Sequence, residues 1–204
     1  MKRESLWRAP LLSILVFHLA GFRTLEAAEP LADNHFQKGV FESSLGSGVF
    51  FSPFATGLNR PTVDYTLTEI QLGYMLTDTS GPGFWRGNFE TAVSAFGGGI
   101  FEGNGNYVAG ATLWLRYNFV PRGSRFVPFA QTGAGLAETD LDRRIEGQNF
   151  NFNLNLGAGI RYFIKPNWSL ALEYRYQHIS NANLSPRNEG VNADGPVLSV
   201  SYFF

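Results

Sequence analysis

His178 and Ser180 lie two residues apart near the C-terminal end of the chain, in a stretch that alternates between apolar and polar residues. A neighbouring imidazole can take the proton of a serine hydroxyl and so make the serine a nucleophile. Side chains two apart on a strand point the same way, which brings such a pair within reach of a hydrogen bond. This spacing is that of the first two members of a serine hydrolase site.

Residues 168–180 must position this pair, and in this segment apolar and polar residues alternate. Such alternation predicts a strand with one apolar face, and the histidine and serine continue that apolar face. The apolar face carries Trp168, Leu170, Leu172, Tyr174, Tyr176, His178 and Ser180, and the other carries Ser169, Ala171, Glu173, Arg175, Gln177 and Ile179.

Seven further segments alternate in the same way, which predicts eight strands in total. In the second segment the apolar parity changes, and a β-bulge near Thr68–Glu69 would explain the change. The segments are roughly Phe41–Phe54, Thr62–Thr77, Asn88–Phe101, Tyr107–Phe119, Phe126–Glu138, Asn149–Tyr162, Trp168–Ser180 and Pro196–Phe204.

Two architectures suit eight such strands. A soluble sandwich or lipocalin-like barrel would turn the apolar faces inward, whereas an outer-membrane barrel turns them to lipid. The polar faces carry charges of both signs that can pair in a narrow lumen, the strands are long enough to cross a bilayer at a tilt, and the last strand ends on Phe204. The pattern favours an all-β fold, an eight-stranded antiparallel transmembrane β-barrel of the bacterial outer membrane over residues 41–204. Its interior would be filled by side chains.

The N-terminus indicates export. A basic start is followed by the short apolar run Leu11–Phe22 and by small residues at Ala27 and Ala28. This predicts a secretory signal peptide over residues 1–28, followed by an irregular leader over residues 29–40 in which His35 is expected to be solvated.

Composition excludes several classes of function. The formal net charge is −1, which offers no basic footprint for nucleic acid. Cysteine is absent, so neither a disulfide framework nor a thiolate metal site can form.

The connections predict the orientation of the barrel. With both termini in the periplasm, the turns at residues 120–125 and 165–167 are short, as periplasmic turns should be. The expected external loops are 56–61, 102–106, 140–148 and 181–195. His178 and Ser180 would then lie at the outer rim, facing lipid.

The segment His178-Ile-Ser-Asn-Ala-Asn-Leu184, followed by Asn188-Glu-Gly190 and a final strand ending in Phe, resembles the lipid A 3-O-deacylase family. The resemblance implies an outer-membrane esterase that removes the acyl chain linked at position 3 of lipid A, with lipopolysaccharide as substrate and with no cofactor or metal. Ser180 would be the nucleophile, His178 the general base, and the Asn181 amide a contributor to the oxyanion hole. Whether the barrel forms a homodimer stays open.

This chain departs from the family pattern at two positions. The acid expected two residues after Gly190 is Asn192, which can orient an imidazole but carries no charge. Asp194 shares a strand face with Asn192, so both are candidates for the third member, and Glu189 is a weaker one. Asn183 stands where glycine is usual, and asparagine tolerates the left-handed conformation well.

The sequence is therefore compatible with three functions. The first is a lipid A ester hydrolase, and the second is a catalytically inactive barrel of the same fold with a structural or surface-interaction role. The third is a soluble lipocalin-like binder, which requires the apolar faces to line a pocket.

Overall fold

A computed structural model describes residues 33–52 and 62–204. The predicted signal peptide, the start of the predicted leader and the predicted first external loop lie outside the described residues. Consecutive strands pair antiparallel, and the eighth pairs with the first to close a barrel, which confirms the predicted fold class. The strands are β1 (Phe41–Phe50), β2 (Asp64–Met75), β3 (Gly87–Glu102), β4 (Tyr107–Phe119), β5 (Phe126–Thr139), β6 (Phe150–Lys165), β7 (Trp168–Ser180) and β8 (Val191–Phe203), with a 3-10 turn at Gly83–Trp85.

Within residues 33–52 and 62–204, no helix has the length and apolar content needed to cross a membrane.

The outer wall of the barrel is apolar, as the outer-membrane architecture requires. Large hydrophobic side chains project from it and are exposed, whereas in a lipocalin-like binder they would line the interior. The wall includes Leu45, Ile70, Leu72, Leu113, Leu154, Leu156, Leu172 and Leu198.

Two predicted details of the strands are wrong. No bulge occurs at Thr68–Glu69, because the β2–β3 register is continuous from Tyr65 to Met75 and shifts only between Asp64 and Tyr65. The apolar parity changes because Tyr65 and Leu67 face a hydrophobic cluster inside the barrel, whereas Ile70 faces outward.

The eighth strand begins earlier than predicted, at Val191 rather than at Pro196. Val191 pairs with Ile179 and Ala193 pairs with Gln177, so the first residues of β8 extend the ladder with β7. Val191 and Ala193 are buried in the same interior cluster, which holds this extension in place.

The interior has three layers. At the end where β7 stops and β8 starts, which we name the loop end, a hydrophobic cluster includes Phe50, Tyr65 and Ile179. At the opposite end, where the chain enters β1 and which we name the terminus end, a second cluster includes Phe163 and Phe203. A polar belt separates the two clusters, so the lumen is packed rather than open.

The belt is held by ion pairs, and two of them, Arg161–Glu42 and Arg175–Glu69, join strands that are far apart in the sequence. Arg161 contacts both carboxylate oxygens of Glu42 at 2.7 and 2.8 Å. Arg175 binds Glu69 at 2.6 Å and Glu173 at 2.8 Å. These contacts confirm the prediction that the charges of both signs pair inside the lumen.

The N-terminal segment, residues 33–40, closes the terminus end. Phe36 is fully buried beside Phe163 and Phe203. His35 is half-buried and stacks on Phe163 with the ring centroids 5.4 Å apart. The prediction that His35 is solvated is therefore wrong, because the segment folds back into the mouth of the barrel.

Candidate active site

The site lies on the outward face of β7 and β8 at the loop end. His178 is directly opposite Asn192 in the β7–β8 register. The Nε2 atom of His178 lies 3.0 Å from the Ser180 hydroxyl oxygen, and its Nδ1 atom lies 2.6 Å from Oδ1 of Asn192. Ser180, His178 and Asn192 thus form a connected row on the outer wall.

Tyr176 fixes the protonation of this row. Its hydroxyl donates to Oδ1 of Asn192 at 2.7 Å, the same oxygen that His178 contacts. A carbonyl oxygen only accepts hydrogen bonds, so Nδ1 of His178 carries the proton in this arrangement. The neutral imidazole then presents an unprotonated Nε2 to Ser180, which is the form that a general base requires.

Asp194 lies on the same outward face but is engaged elsewhere. It sits opposite Tyr176 in the register, and its Oδ1 accepts a hydrogen bond from the Tyr174 hydroxyl at 2.5 Å. Of the two predicted third members, the structure brings Asn192 to His178 and leaves Asp194 with Tyr174.

Asn181 follows Ser180 and, by the alternation of the strand, turns into the barrel, where it is fully buried. Its Nδ2 donates to Glu146 Oε2 at 2.8 Å and to the Arg187 carbonyl at 2.6 Å. Its backbone N–H donates to Oδ1 of Asn188 at 3.0 Å. Since all of its N–H groups are engaged, this geometry does not support the prediction that the Asn181 amide binds an oxyanion.

The turn after Asn181 presents other donors. Ala182 and Asn183 both adopt left-handed backbone conformations, with φ of 52° and 64°. Asparagine therefore takes the conformation for which glycine is usual, as predicted. Within the described part of the chain, no protein acceptor receives the backbone N–H of either residue.

Glu146, in the loop between β5 and β6, was not predicted to belong to the site. Its carboxylate is fully buried, and its Oε1 accepts the backbone N–H of Gly190 at 2.7 Å while Oε2 accepts Asn181 Nδ2. Burial raises the pKa of Glu146 above its ordinary value, and the N–H donors of Gly190 and Asn181 offset part of that rise. The sequence signal was weak, because an acid in a polar loop is commonly solvated.

The comparisons with known proteins agree with this architecture. The sequence model of the family described as Lipid A 3-O-deacylase (PagL) matches residues 61–201. No curated protein matches the chain significantly.

Several solved structures share the fold. The outer membrane enzyme PagL aligns with a TM-score of 0.55 at 18% identity, covering 78% of this chain and 97% of that chain. Neisserial surface protein A aligns with a TM-score of 0.58 at 17% identity, covering 82% and 98%. The N-terminal β-barrel domain of Pseudomonas aeruginosa OprF aligns with a TM-score of 0.53 at 17% identity, also covering 82% and 98%.

None of these comparisons supports a homodimer.

The neighbours are outer-membrane barrels, and the family match spans most of the strands and the whole of the candidate site. The chain is a barrel of the bacterial outer membrane and belongs to the lipid A 3-O-deacylase (PagL) family.

Proposed function

We propose that this protein is an outer-membrane serine esterase that hydrolyses the 3-O-linked acyl chain of lipid A. The observation that carries the proposal is the 3.0 Å contact between His178 Nε2 and the Ser180 hydroxyl, on a face that a lipid can reach. The family supplies the substrate class, lipid A.

The depth of the site suits this substrate. With the termini in the periplasm, the loop end of the barrel faces the cell exterior, and the outward face of β7 leads from Leu172 through Tyr174 and Tyr176 to His178. Tyrosines on a membrane barrel favour the level of the lipid headgroups. Ser180 lies just beyond them, where the ester bonds of an outer-leaflet lipid meet its sugars.

The reaction is acyl transfer in two steps. Ser180 attacks the ester carbonyl while its proton passes to Nε2 of His178, and the tetrahedral intermediate collapses when the imidazolium protonates the leaving hydroxyl of lipid A. Water, deprotonated by the same nitrogen, then attacks the acyl-serine, and the imidazolium returns the proton to the Ser180 oxygen as the fatty acid leaves. Both steps balance without a cofactor.

The oxyanion would be bound by the backbone of the turn after Asn181. The free N–H groups of Ala182 and Asn183 lie two and three residues beyond Ser180. Removal of one such donor costs about 3 kcal/mol of transition-state stabilisation in well-studied hydrolases. In this proposal Asn181 contributes to the oxyanion hole by holding the turn, rather than by donating to the oxyanion.

Asn192 takes the place of the acid in a neutral form. Its carbonyl holds the imidazole in the reactive tautomer through Nδ1. It adds no negative charge to stabilise the imidazolium, so we expect a slower reaction than a carboxylate at this position would give.

The decisive experiment is mass spectrometry of lipid A from cells that express the wild type or Ser180→Ala. Loss of one 3-O-acyl chain with the wild type alone is the expected result. Heat-modifiable gel mobility of both proteins shows that both barrels are folded. Identical spectra from the two strains would refute the esterase.

A second candidate is a barrel with a structural or surface-interaction role. The observation in its favour is the neutral residue at position 192, which removes the charge on which the family pattern relies. Lipid A that is unmodified by the folded wild type would favour this alternative.

A further inference from the structure

The loop between β5 and β6 reaches over the outer rim and touches both ends of the loop that follows Ser180. We name residues 181–190, between β7 and β8, the site loop. Glu146 binds its first residue, Asn181, at 2.8 Å and its last, Gly190, at 2.7 Å. One buried carboxylate therefore joins the two ends of the site loop.

Further contacts continue this junction. The backbone N–H of Gly147 donates to the Arg187 carbonyl at 2.9 Å, and the backbone N–H of Glu189 donates to the Ile145 carbonyl at 3.0 Å. The orientation of the Asn181 side chain is fixed, because its Nδ2 contacts two acceptors, Glu146 Oε2 and the Arg187 carbonyl.

The chemistry of the junction requires a carboxylate. Both partners of Glu146 are N–H donors, so the residue must present two acceptors, one to each donor. A glutamine of the same shape would offer one acceptor and would turn an NH2 group towards the other donor. A glutamate is therefore required here for its charge and acceptor count, and not for its size.

The ends of the site loop are adjacent to the reacting groups. Asn181 follows Ser180 directly, and Gly190 precedes Asn192 by two residues. A shift of either end changes the distance from Ser180 to His178 or from His178 to Asn192, and misplacement of reacting groups by about 1 Å can cost a hundredfold in rate.

Resting on the proposed function, we propose that Glu146 is a positioning residue for the deacylation: it holds the site loop so that Ser180, His178, Asn192 and the N–H groups of Ala182 and Asn183 stay aligned. It touches neither the substrate nor the reacting atoms.

The test compares Glu146→Gln with Asp142→Asn. Asp142 lies in the same loop, and its carboxylate binds the exposed Arg144 rather than the site loop, so this variant removes the same charge without touching the junction. We expect Glu146→Gln to lower deacylation by about tenfold or more. The fall should lie in kcat with KM unchanged, and Asp142→Asn should behave as the wild type.

Two further measurements separate positioning from folding. Covalent labelling of Ser180 by a fluorophosphonate, per folded barrel, should slow by a similar factor in Glu146→Gln, which a loss of folded protein would not produce. Trypsin should cut faster after Arg187, because the carbonyl of that peptide bond is held in the junction.

Equal kcat and equal Ser180 labelling in Glu146→Gln and Asp142→Asn would overturn the inference, even if cleavage at Arg187 became faster. Lipid A left intact by the wild type would instead refute the proposed function. The rate of Ser180 labelling would then still show whether Glu146 keeps Ser180 aligned with His178.

Discussion

Polar side chains have different kinds of partners in the lumen of this barrel and on its outer wall at the loop end. In the lumen, Arg161 and Arg175 are buried and each is matched by carboxylates at 2.6–2.8 Å. At the rim, the imidazole of His178 contacts a neutral amide and a neutral hydroxyl. The partners of the buried arginines in the lumen are therefore charged, whereas the partners of His178 on the outer wall are neutral.

Physical setting explains the difference. The charged groups of the polar belt each contact a group of opposite charge, and the close fit is visible at Gly157, where a Cβ would overlap the Glu173 carboxylate. On the outer wall at the loop end, the Asp194 carboxylate accepts a hydrogen bond from Tyr174, and the partner of His178 is the neutral Asn192. In the proposed reaction, the imidazolium that forms at His178 would therefore have no carboxylate in contact with it.

Substitutions in the two regions should therefore have different effects. Removal of one member of a buried ion pair leaves an uncompensated charge, so the lumen should lose stability. Removal of the neutral partner of His178 at the loop end should change the reaction rate more than the free energy of unfolding.

The largest effect is expected from Arg161→Leu. It leaves the buried Glu42 carboxylate with only the longer 3.4 Å ion pair to Arg116, which should lower the free energy of unfolding by about 3–5 kcal/mol. Urea unfolding of the barrel in phospholipid vesicles measures this loss.

The control for Arg161→Leu is Arg144→Leu, which removes an exposed ion pair in the β5–β6 loop and should change little. Equal stabilities of the two variants would mean that the lumen pairs do not hold the barrel together.

A smaller effect, and one in the favourable direction, is expected from Asn192→Asp. A hydrogen bond to a charged partner contributes about 1–1.5 kcal/mol more than a neutral one, which is roughly tenfold in rate once the imidazolium forms. Initial rates of lipid A deacylation by the solubilised barrel measure the gain.

A comparison of Asn192→Ala with Asp194→Ala tests whether Asn192 is the partner of the imidazole. Since Asn192 contacts the imidazole and Asp194 contacts Tyr174, the first variant should lower turnover more than the second. A larger loss from Asp194→Ala would identify Asp194 as the functional acid and contradict the tautomer assigned through Asn192.

The fold was largely predictable because the outer wall alternates strictly. Leu170 and Leu172 face outward, and Ala171 and Glu173 face inward, as parity requires. The errors occur where the interior itself is apolar. At the loop end Tyr65 and Val191 belong to an inner cluster, so alternation between apolar and polar residues disappears there although the strands continue.

The site was predictable only in part. Parity places His178 and Ser180 on one face of one strand, but the choice between Asn192 and Asp194 depends on the register of β8 against β7. That register depends on where β8 starts. The start at Val191 was missed because this residue is apolar although it faces the interior. Glu146 could not be predicted, because its partners lie in another loop and no periodicity links the two.

The smallest effect is expected at His35. The described part of the chain has two histidines, His178 at the loop end and His35 at the terminus end. His178 has a hydrogen-bond partner at each nitrogen, whereas His35 packs against Phe163 and Phe203 at the terminus end. Burial lowers the pKa of His35, the nearby Arg161 lowers it further, and a hydrogen bond with the Pro166 backbone offsets part of this.

A folded-state pKa below the unfolded value means that the unfolded chain binds the proton more readily. Stability should therefore fall as the pH drops below about 6.5, and this loss should level off once the pH is below the folded-state pKa of His35. His35→Phe should remove that component, and Lys38→Gln, an exposed change in the same segment, should retain it. Urea unfolding between pH 8 and pH 5 measures the difference, and equal slopes for wild type and His35→Phe would show that the imidazole is not confined by the mouth of the barrel.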